Sequence, residues 1–195
     1  MKITSAVFLK SVINIDQCPN LGLPEFAFFG RSNVWKSSLI NTICNRKNLA
    51  KSSNTPWKTK LFNFFVVNDS WVLVDLPWYW YAKSWNQDKK QWLDFSQEFL
   101  SWRKNLKQAF LLIDWSIPPQ KNDIEMLECF REENIKFSIV FTKIDKCNQK
   151  KYRENQRLFS EKMWLLWLKD VKSFFIDNIH WIGKDELVSY MEMLV

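Results

Sequence analysis

The chain is predicted to be an α/β protein with a mainly parallel six-stranded sheet and helices on both faces. Three observations carry this expectation. The apolar runs Glu25-Phe-Ala-Phe-Phe29, Ala109–Asp114 and Lys136–Thr142 lack polar alternation, as strands buried on both faces do. Segments with helical periodicity separate the runs. The polar strings richest in chemistry follow directly after the runs, at the strand ends where such sheets bind ligands.

Each element follows from local pattern. Glu25–Phe29 reads as the first buried strand, and Lys36–Asn45 as a helix with Leu39, Ile40 and Ile43 on its inner face. Residues 46–59 are polar and loop-like. Leu61–Val67 and Trp71–Asp75 are strands joined at Asn68-Asp69, a hairpin. Residues 86–106 carry helical spacing through Trp92, Phe95, Phe99 and Trp102. There follow a strand at Ala109–Asp114, a helix at Gln120–Glu133, a strand at Lys136–Thr142 and a helix over 148–168. A strand near Val171–Ile176 and a helix at Lys184–Leu194 close the chain. No repeat or linker divides the 195 residues, so one domain over 1–195 is expected.

Hydrophobic content of 47% and charged content of 25% fit a soluble globular protein. No stretch approaches the roughly 18 apolar residues of a membrane span, and the apolar run near the start lacks a signal-peptide cleavage site. A cytoplasmic monomer is the expectation. Cys18, Cys44, Cys129 and Cys147 are scattered, with no C-x-x-C pair and only His180 to join them, so free thiols are expected over a zinc site. The net charge of +7 favours polyanionic partners, RNA above all. Lysines and arginines cluster at Lys83–Lys90, Arg103–Lys107 and Lys143–Arg153, though any one cluster alone is equally a solvated helix face.

Residues 30 to 38 read Gly-Arg-Ser-Asn-Val-Trp-Lys-Ser-Ser. The phosphate-loop pattern is G-x-x-x-x-G-K-[S/T]; Gly30, Lys36 and Ser37 fit it, and Trp35 stands at the second glycine. Backbone N–H groups of Gly30, Arg31, Ser32, Asn33, Val34 and Trp35, with the following helix N-terminus, can cradle phosphate oxygens. Lys36 would reach the β- and γ-phosphates and Ser37 would bind Mg²⁺. Thr59, in the loop Trp57-Lys58-Thr59-Lys60-Leu61, can complete the Mg²⁺ shell and sense the γ-phosphate. Lys36 and Thr59 are thus the catalytic candidates. Asp75 opens Asp75-Leu76-Pro77-Trp78 and would hold Mg²⁺ through water, so Lys36 and Asp75 should lie close together. In Thr142-Lys143-Ile144-Asp145 the carboxylate can accept two hydrogens from guanine N1 and N2, which adenine does not offer, so GTP is favoured over ATP.

Only 3 glycines accompany 12 tryptophans. With glycine at 35, 57, 78 and 80 the strings become GRSNVGKSS, TPGKT and DLPGYGYAK. Random decay would introduce a mixture of residues, not one type four times. A UGA codon that means glycine in its own lineage, translated as tryptophan, produces this pattern. Trp115 and Trp181, in loop-like stretches, are further candidates, whereas Trp92 fits a helical pattern as tryptophan. A deliberately mutated chain or a true pseudo-GTPase are the alternatives.

With these residues in place, the chain resembles the EngB (YihA/YsxC) family of bacterial GTPases, in the Era-like branch, over roughly residues 5–190. Gly30–Ser38, Asp75–Lys83 and Ile113-Asp114 followed by Pro118-Pro119-Gln120 carry the resemblance. It implies a Ras-like P-loop GTPase fold in three layers. It also implies a role in assembly of the large ribosomal subunit, contact with rRNA, and a link to cell division and septation. GTP or GDP would contact residues 30–37, 57–61, 75–78 and 142–145, and Ile176, Asp177 and Asn178 at the last base loop. The family's last base loop carries a small Ser-Ser-like motif where Ile176-Asp177-Asn178 stands here. Tyr79 follows position 78, so the water-orienting glutamine of many GTPases is absent and intrinsic hydrolysis should be slow. Asn33 stands where some related GTPases hold an activating K⁺, which makes K⁺ a candidate second cation. If the tryptophans are literal, the expected product is instead a nucleotide-free scaffold that binds rRNA on the ribosome.

Overall fold

A computed structural model describes residues 3–50, 61–76, 95–96, 98–101, 103–177, 179–180 and 182–195. Its strands form one sheet in the order β1-β3-β4-β2-β5-β6-β7. These are β1 Ala6–Val12, β2 Glu25–Gly30, β3 Phe62–Val67, β4 Trp71–Asp75, β5 Leu106–Asp114, β6 Phe137–Thr142 and β7 Ser173–Ile176. β2 is parallel to β4 on one side and β5 on the other, and β6 and β7 continue in parallel. β3 is antiparallel to β4 and β1 to β3.

The sheet has seven strands where six were expected, the addition being β1 at the edge. Its sequence Ala-Val-Phe-Leu-Lys-Ser-Val offers only a short apolar run, and Val7 to Lys10 are exposed, unlike the strands buried on both faces. Pairing places it: the Asn68 side-chain oxygen accepts the Thr4 and Ser5 N–H groups at 2.8 and 3.0 Å. A register shift between Phe8 and Lys10 disrupts this edge, which protects against edge-to-edge association. The β3–β4 hairpin turns at Asn68 and Asp69, with φ of 48° and 51°, and Ser70 N–H bonds to the Val67 carbonyl. Two positive φ values make the turn whose twist matches the strands, and Asn and Asp tolerate them.

Among the described residues, helices α1 Lys36–Ile43, α2 Lys121–Glu132, α3 Gln149–Leu165 and α4 Lys184–Met193 cover the sheet. Residues 95–96 and 98–101 are also helical; the rest of the predicted 86–106 helix lies outside the described residues or, from 103 on, is a turn leading into β5. Alternation along β2 divides the core. Phe26 and Phe28 pack with Leu39 and Ile40 of α1 and Leu187 of α4. Ala27 and Phe29 pack with Leu127 and Phe130 of α2 and Phe159 of α3. At the start of β2, buried Glu25 accepts two bonds from the Arg103 guanidinium, at 2.8 and 2.7 Å. No helix among the described residues is long and apolar enough to cross a membrane.

Two tryptophans outside the motifs occupy opposite environments. Trp115 is buried directly after β5, stacked on Phe159 and edge-on to Phe141 and Phe175. Its φ is not positive and nothing in its backbone calls for glycine, although its indole N–H is buried without a partner. Trp167 is 84% exposed and left-handed at φ 57°, immediately past the α3 C-cap Leu166. Trp167 N–H bonds to the Trp164 carbonyl and Leu168 N–H to the Met163 carbonyl, at 3.0 and 2.9 Å. That pair is a Schellman ending, whose left-handed residue is usually glycine. Trp167→Gly should therefore stabilise the chain by about 1 kcal/mol, raising Tm by roughly 2–4 °C, whereas Trp115→Gly should cost about 3 kcal/mol or more. Thermal unfolding of the two variants checks both signs.

Candidate nucleotide site

β2 ends at Gly30, and the chain must turn at once into α1 beneath β5. A Cβ at residue 30 would meet Val34 Cγ2 at 2.6 Å and Leu112 Cβ at 2.8 Å, so only glycine lets the loop close. Val34 is buried under the loop and its N–H bonds to the Arg31 carbonyl at 3.3 Å. Ser32 and Asn33 are exposed, and Asn33 is left-handed at φ 66°. Trp35 is left-handed too, at φ 62°, in the N-cap position of α1. A bulky side chain held there costs on the order of 1–2 kcal/mol.

The expected approach of Lys36 to Asp75 is present: the Lys36 ammonium is ion-paired with Asp75 Oδ1. Parallel pairing causes it, since β4 ends beside β2, with Phe28 opposite Asp75. Asn63 Nδ2 lies 3.4 Å from the other Asp75 oxygen, and Leu76, fully buried, donates its N–H to the Phe28 carbonyl at 3.0 Å. Ser37, half-buried, occupies the first turn of α1. Leu61, half-buried, precedes β3. Trp57, Lys58, Thr59, Lys60, Pro77, Trp78 and Asn178 lie outside the described residues.

The base-selecting string sits at the end of β6. Thr142 is buried, its hydroxyl 3.3 Å from the Ile113 carbonyl oxygen. Lys143 is left-handed at φ 61° and leads into a 3-10 turn, Ile144–Lys146. Its ammonium donates to Asp114 Oδ2 at 2.6 Å. Burial pushes the Asp114 carboxyl up, but hydrogen bonds from Lys143 and Ser116 outweigh it and hold the group below the usual carboxylate range. Asp145 Oδ1 is buried and accepts no hydrogen bond. A buried carboxylate oxygen without a donor is costly, and its need for one fits a ligand bearing adjacent N–H groups.

Ile176 and Asp177 follow at the end of β7, both buried. Asp177 is already committed: Oδ1 accepts the N–H groups of Ile179 and His180 at 2.6 and 3.1 Å, and Oδ2 meets His180 Nδ1. Burial raises the Asp177 carboxyl, the His180 and Ile179 bonds lower it, and the net shift is downward. Its carboxylate caps the turn that follows β7.

Three groups escaped the sequence reading. Asp114, noted only as part of a pattern, holds Lys143. Asp123 of α2 is buried and accepts Arg31 Nε at 2.8 Å, tying the phosphate loop to that helix. Lys146 lies 4.8 Å from the centre of the Trp35 ring, and Lys143 lies 5.8 Å from it. The Trp35 indole thus lies against the ammonium groups of the turn that follows β6. Partners distant in sequence gave no local signal for any of these.

A family model described as "50S ribosome-binding GTPase" matches residues 25–143. "Probable GTP-binding protein EngB" of Christiangramia forsetii is 42% identical, covering 98% of this chain and 97% of the relative. The protein of the same description from Porphyromonas gingivalis is 40% identical over 100% of this chain and 96% of its own. Among solved structures, a probable GTP-binding protein EngB superposes with a TM-score of 0.66 at 20% identity, covering 87% of this chain and 97% of that one. Era of Aquifex aeolicus bound to GDP and aluminium fluoride gives 0.65 at 18% identity, over 89% of this chain and 57% of that one. The structural likenesses establish the P-loop GTPase fold, and the sequence matches over essentially the whole length establish more: this chain belongs to the EngB family of GTP-binding proteins.

Proposed function

We propose that the working protein binds GTP with Mg²⁺, hydrolyses it slowly, and acts in assembly of the large ribosomal subunit. In this reading it is a cytoplasmic monomer, one G domain over 1–195, and its link to cell division and septation runs through ribosome supply. The observation that carries the proposal is the unsatisfied Asp145 oxygen after β6, in a sheet whose parallel strand β4 ends at Asp75, paired with Lys36.

Lys36 is poised to exchange Asp75 for phosphate oxygens when a nucleotide enters. Ser37, Thr59 and Asp75 offer the hard oxygens that Mg²⁺ takes, Asp75 through water. The ion supplies charge neutralisation on the transferred phosphoryl group. Asp145 would select guanine, with the Lys143 stem along the base and Asp114 holding that lysine. Residue 78 would offer its N–H to the γ-phosphate and Thr59 would sense it. With Tyr79 in place of a water-orienting glutamine, turnover is slow until the ribosome accelerates it.

The reading takes residues 35, 57, 78 and 80 as glycine in the working protein. Support comes from the left-handed backbone at 35 and from an indole set against Lys143 and Lys146 of the turn after β6. The rival scaffold takes every tryptophan literally. Four measurements test this account. The chain with Trp35, Trp57, Trp78 and Trp80 changed to glycine should bind GDP and GTP at micromolar concentration, and the unaltered chain at least about 30-fold more weakly, as loop strain and crowding predict; equal affinity removes the glycine reading. In the restored chain, Asp145→Asn should weaken GDP binding by roughly 10- to 100-fold, the worth of a bidentate base contact, and unchanged guanine preference would refute the role of Asp145. Turnover in KCl against NaCl tests Asn33, equal rates eliminating K⁺. In the source gene, UGA is expected at 35, 57, 78, 80 and 167, with UGG at 115.

A further inference from the structure

The positive charge of this chain is not spread evenly. Residues 143–172 hold nine lysines and arginines against four acids, so five of the chain's seven net positive charges fall within 30 residues. Helix α3 occupies most of that span. Its inner face is fixed by Asn155, whose amide donates to the Trp115 carbonyl at 2.6 Å, and by buried Phe159. The opposite face carries Lys150, Arg153 and Arg157, all exposed, at spacings of three and four. Such spacing puts them in one line, rising about 4.5–6 Å from one cation to the next. Lys146, also exposed, extends the line back into the base-selecting turn.

We propose that this outer face of α3 is the surface that docks on RNA of the large ribosomal subunit, through the phosphate backbone. The proposal rests on the ribosomal reading above and assigns it a place on the molecule. A row of cations meets a phosphate strand better than it meets the scattered carboxylates of a folded protein. A membrane surface is the poorer match, because an interfacial helix must insert a continuous apolar face; Phe159 of α3 packs in the core, and the exposed Trp164 and Leu165 stand only at its C-terminal end. Of the three cations only Arg157 is in an ion pair among the described contacts, with Glu161 at 2.6 Å, and that pair is exposed and weak enough to be exchanged for phosphate. The row begins one residue beyond Asp145, so docked RNA would lie against the turn that selects the base.

The test uses the full chain with glycine at 35, 57, 78 and 80, loaded with a non-hydrolysable GTP analogue. Binding is measured to purified large ribosomal subunits, to a 24-base-pair RNA duplex over a salt series, and to phosphatidylserine vesicles. The variant Lys150→Gln, Arg153→Gln, Arg157→Gln is compared with Lys121→Gln, Arg131→Gln, Lys136→Gln, which removes the same charge elsewhere. The first variant should lose roughly 10- to 100-fold in subunit affinity, and its log–log salt slope on the duplex should fall by about 2–3. The second should stay within about 3-fold of the parent, with both melting within a few degrees of it. Equal losses in the two variants, or none in the first, would overturn the assignment while the parent's binding upheld the ribosomal reading. Loss on vesicles but not on RNA would overturn it in favour of lipid. A parent that bound neither subunits nor duplex would overturn reading and surface together.

Discussion

The site depends on one constraint, the parallel register of β2 with β4 and β5. Because the three strands run the same way, Gly30, Asp75 and Asp114 emerge at one edge of the sheet. β6 joins in the same direction, with Asp114 opposite Thr142, and so delivers the base-selecting turn beside them. Reversing any one strand would move its terminal carboxylate to the other end of the molecule. The alternating burial of β2, phenylalanine toward α1 and α4 and smaller or aromatic residues toward α2 and α3, holds this register. A slip by one residue would exchange the two sets and mismatch their volumes, with Ala27 and Phe29 where Phe26 and Phe28 now pack.

A second, narrower constraint acts where β2 becomes the phosphate loop. The loop closes over Val34, and residue 30 has no room for a Cβ. Downstream the backbone turns left-handed twice, at Asn33 and Trp35, before α1 can begin. Asparagine tolerates that region by bonding locally, and tryptophan does not. The strain therefore falls on the position where the phosphate-loop pattern requires its second glycine, and the bulk of the side chain crosses toward Lys146.

Much of this was legible in the sequence, for identifiable reasons. The buried strands were readable because strands covered on both faces need unbroken apolar runs, and the turn at Asn68-Asp69 because few residues accept two positive φ values. Lys36 and Asp75 could be placed together because Asp75 ends one strand and Lys36 follows another by a short loop. What stayed hidden depended on contacts distant in sequence. β1 exists through its pairing with β3. Asp123 matters because α2 lies beside Arg31, and Asp177 turns inward because His180 and two backbone N–H groups satisfy it. None of these leaves a periodic trace.

The tryptophans show how backbone geometry separates meanings that composition merges. Counting residues treats Trp35, Trp115 and Trp167 alike. Their φ angles and surroundings do not: Trp115 fills a core among four aromatic rings, while Trp35 and Trp167 stand left-handed at a phosphate loop and at a helix end. Both left-handed sites are ones where the missing Cβ of glycine is the useful property, for close approach in one and for helix termination in the other. The cost of tryptophan at each is a few kcal/mol at most, confined to the surface, and the two-sided core is untouched by it. The fold thus persists with tryptophan at both positions, because the parallel sheet that brings Gly30, Asp75 and Asp114 together does not depend on the side chain at 35 or 167.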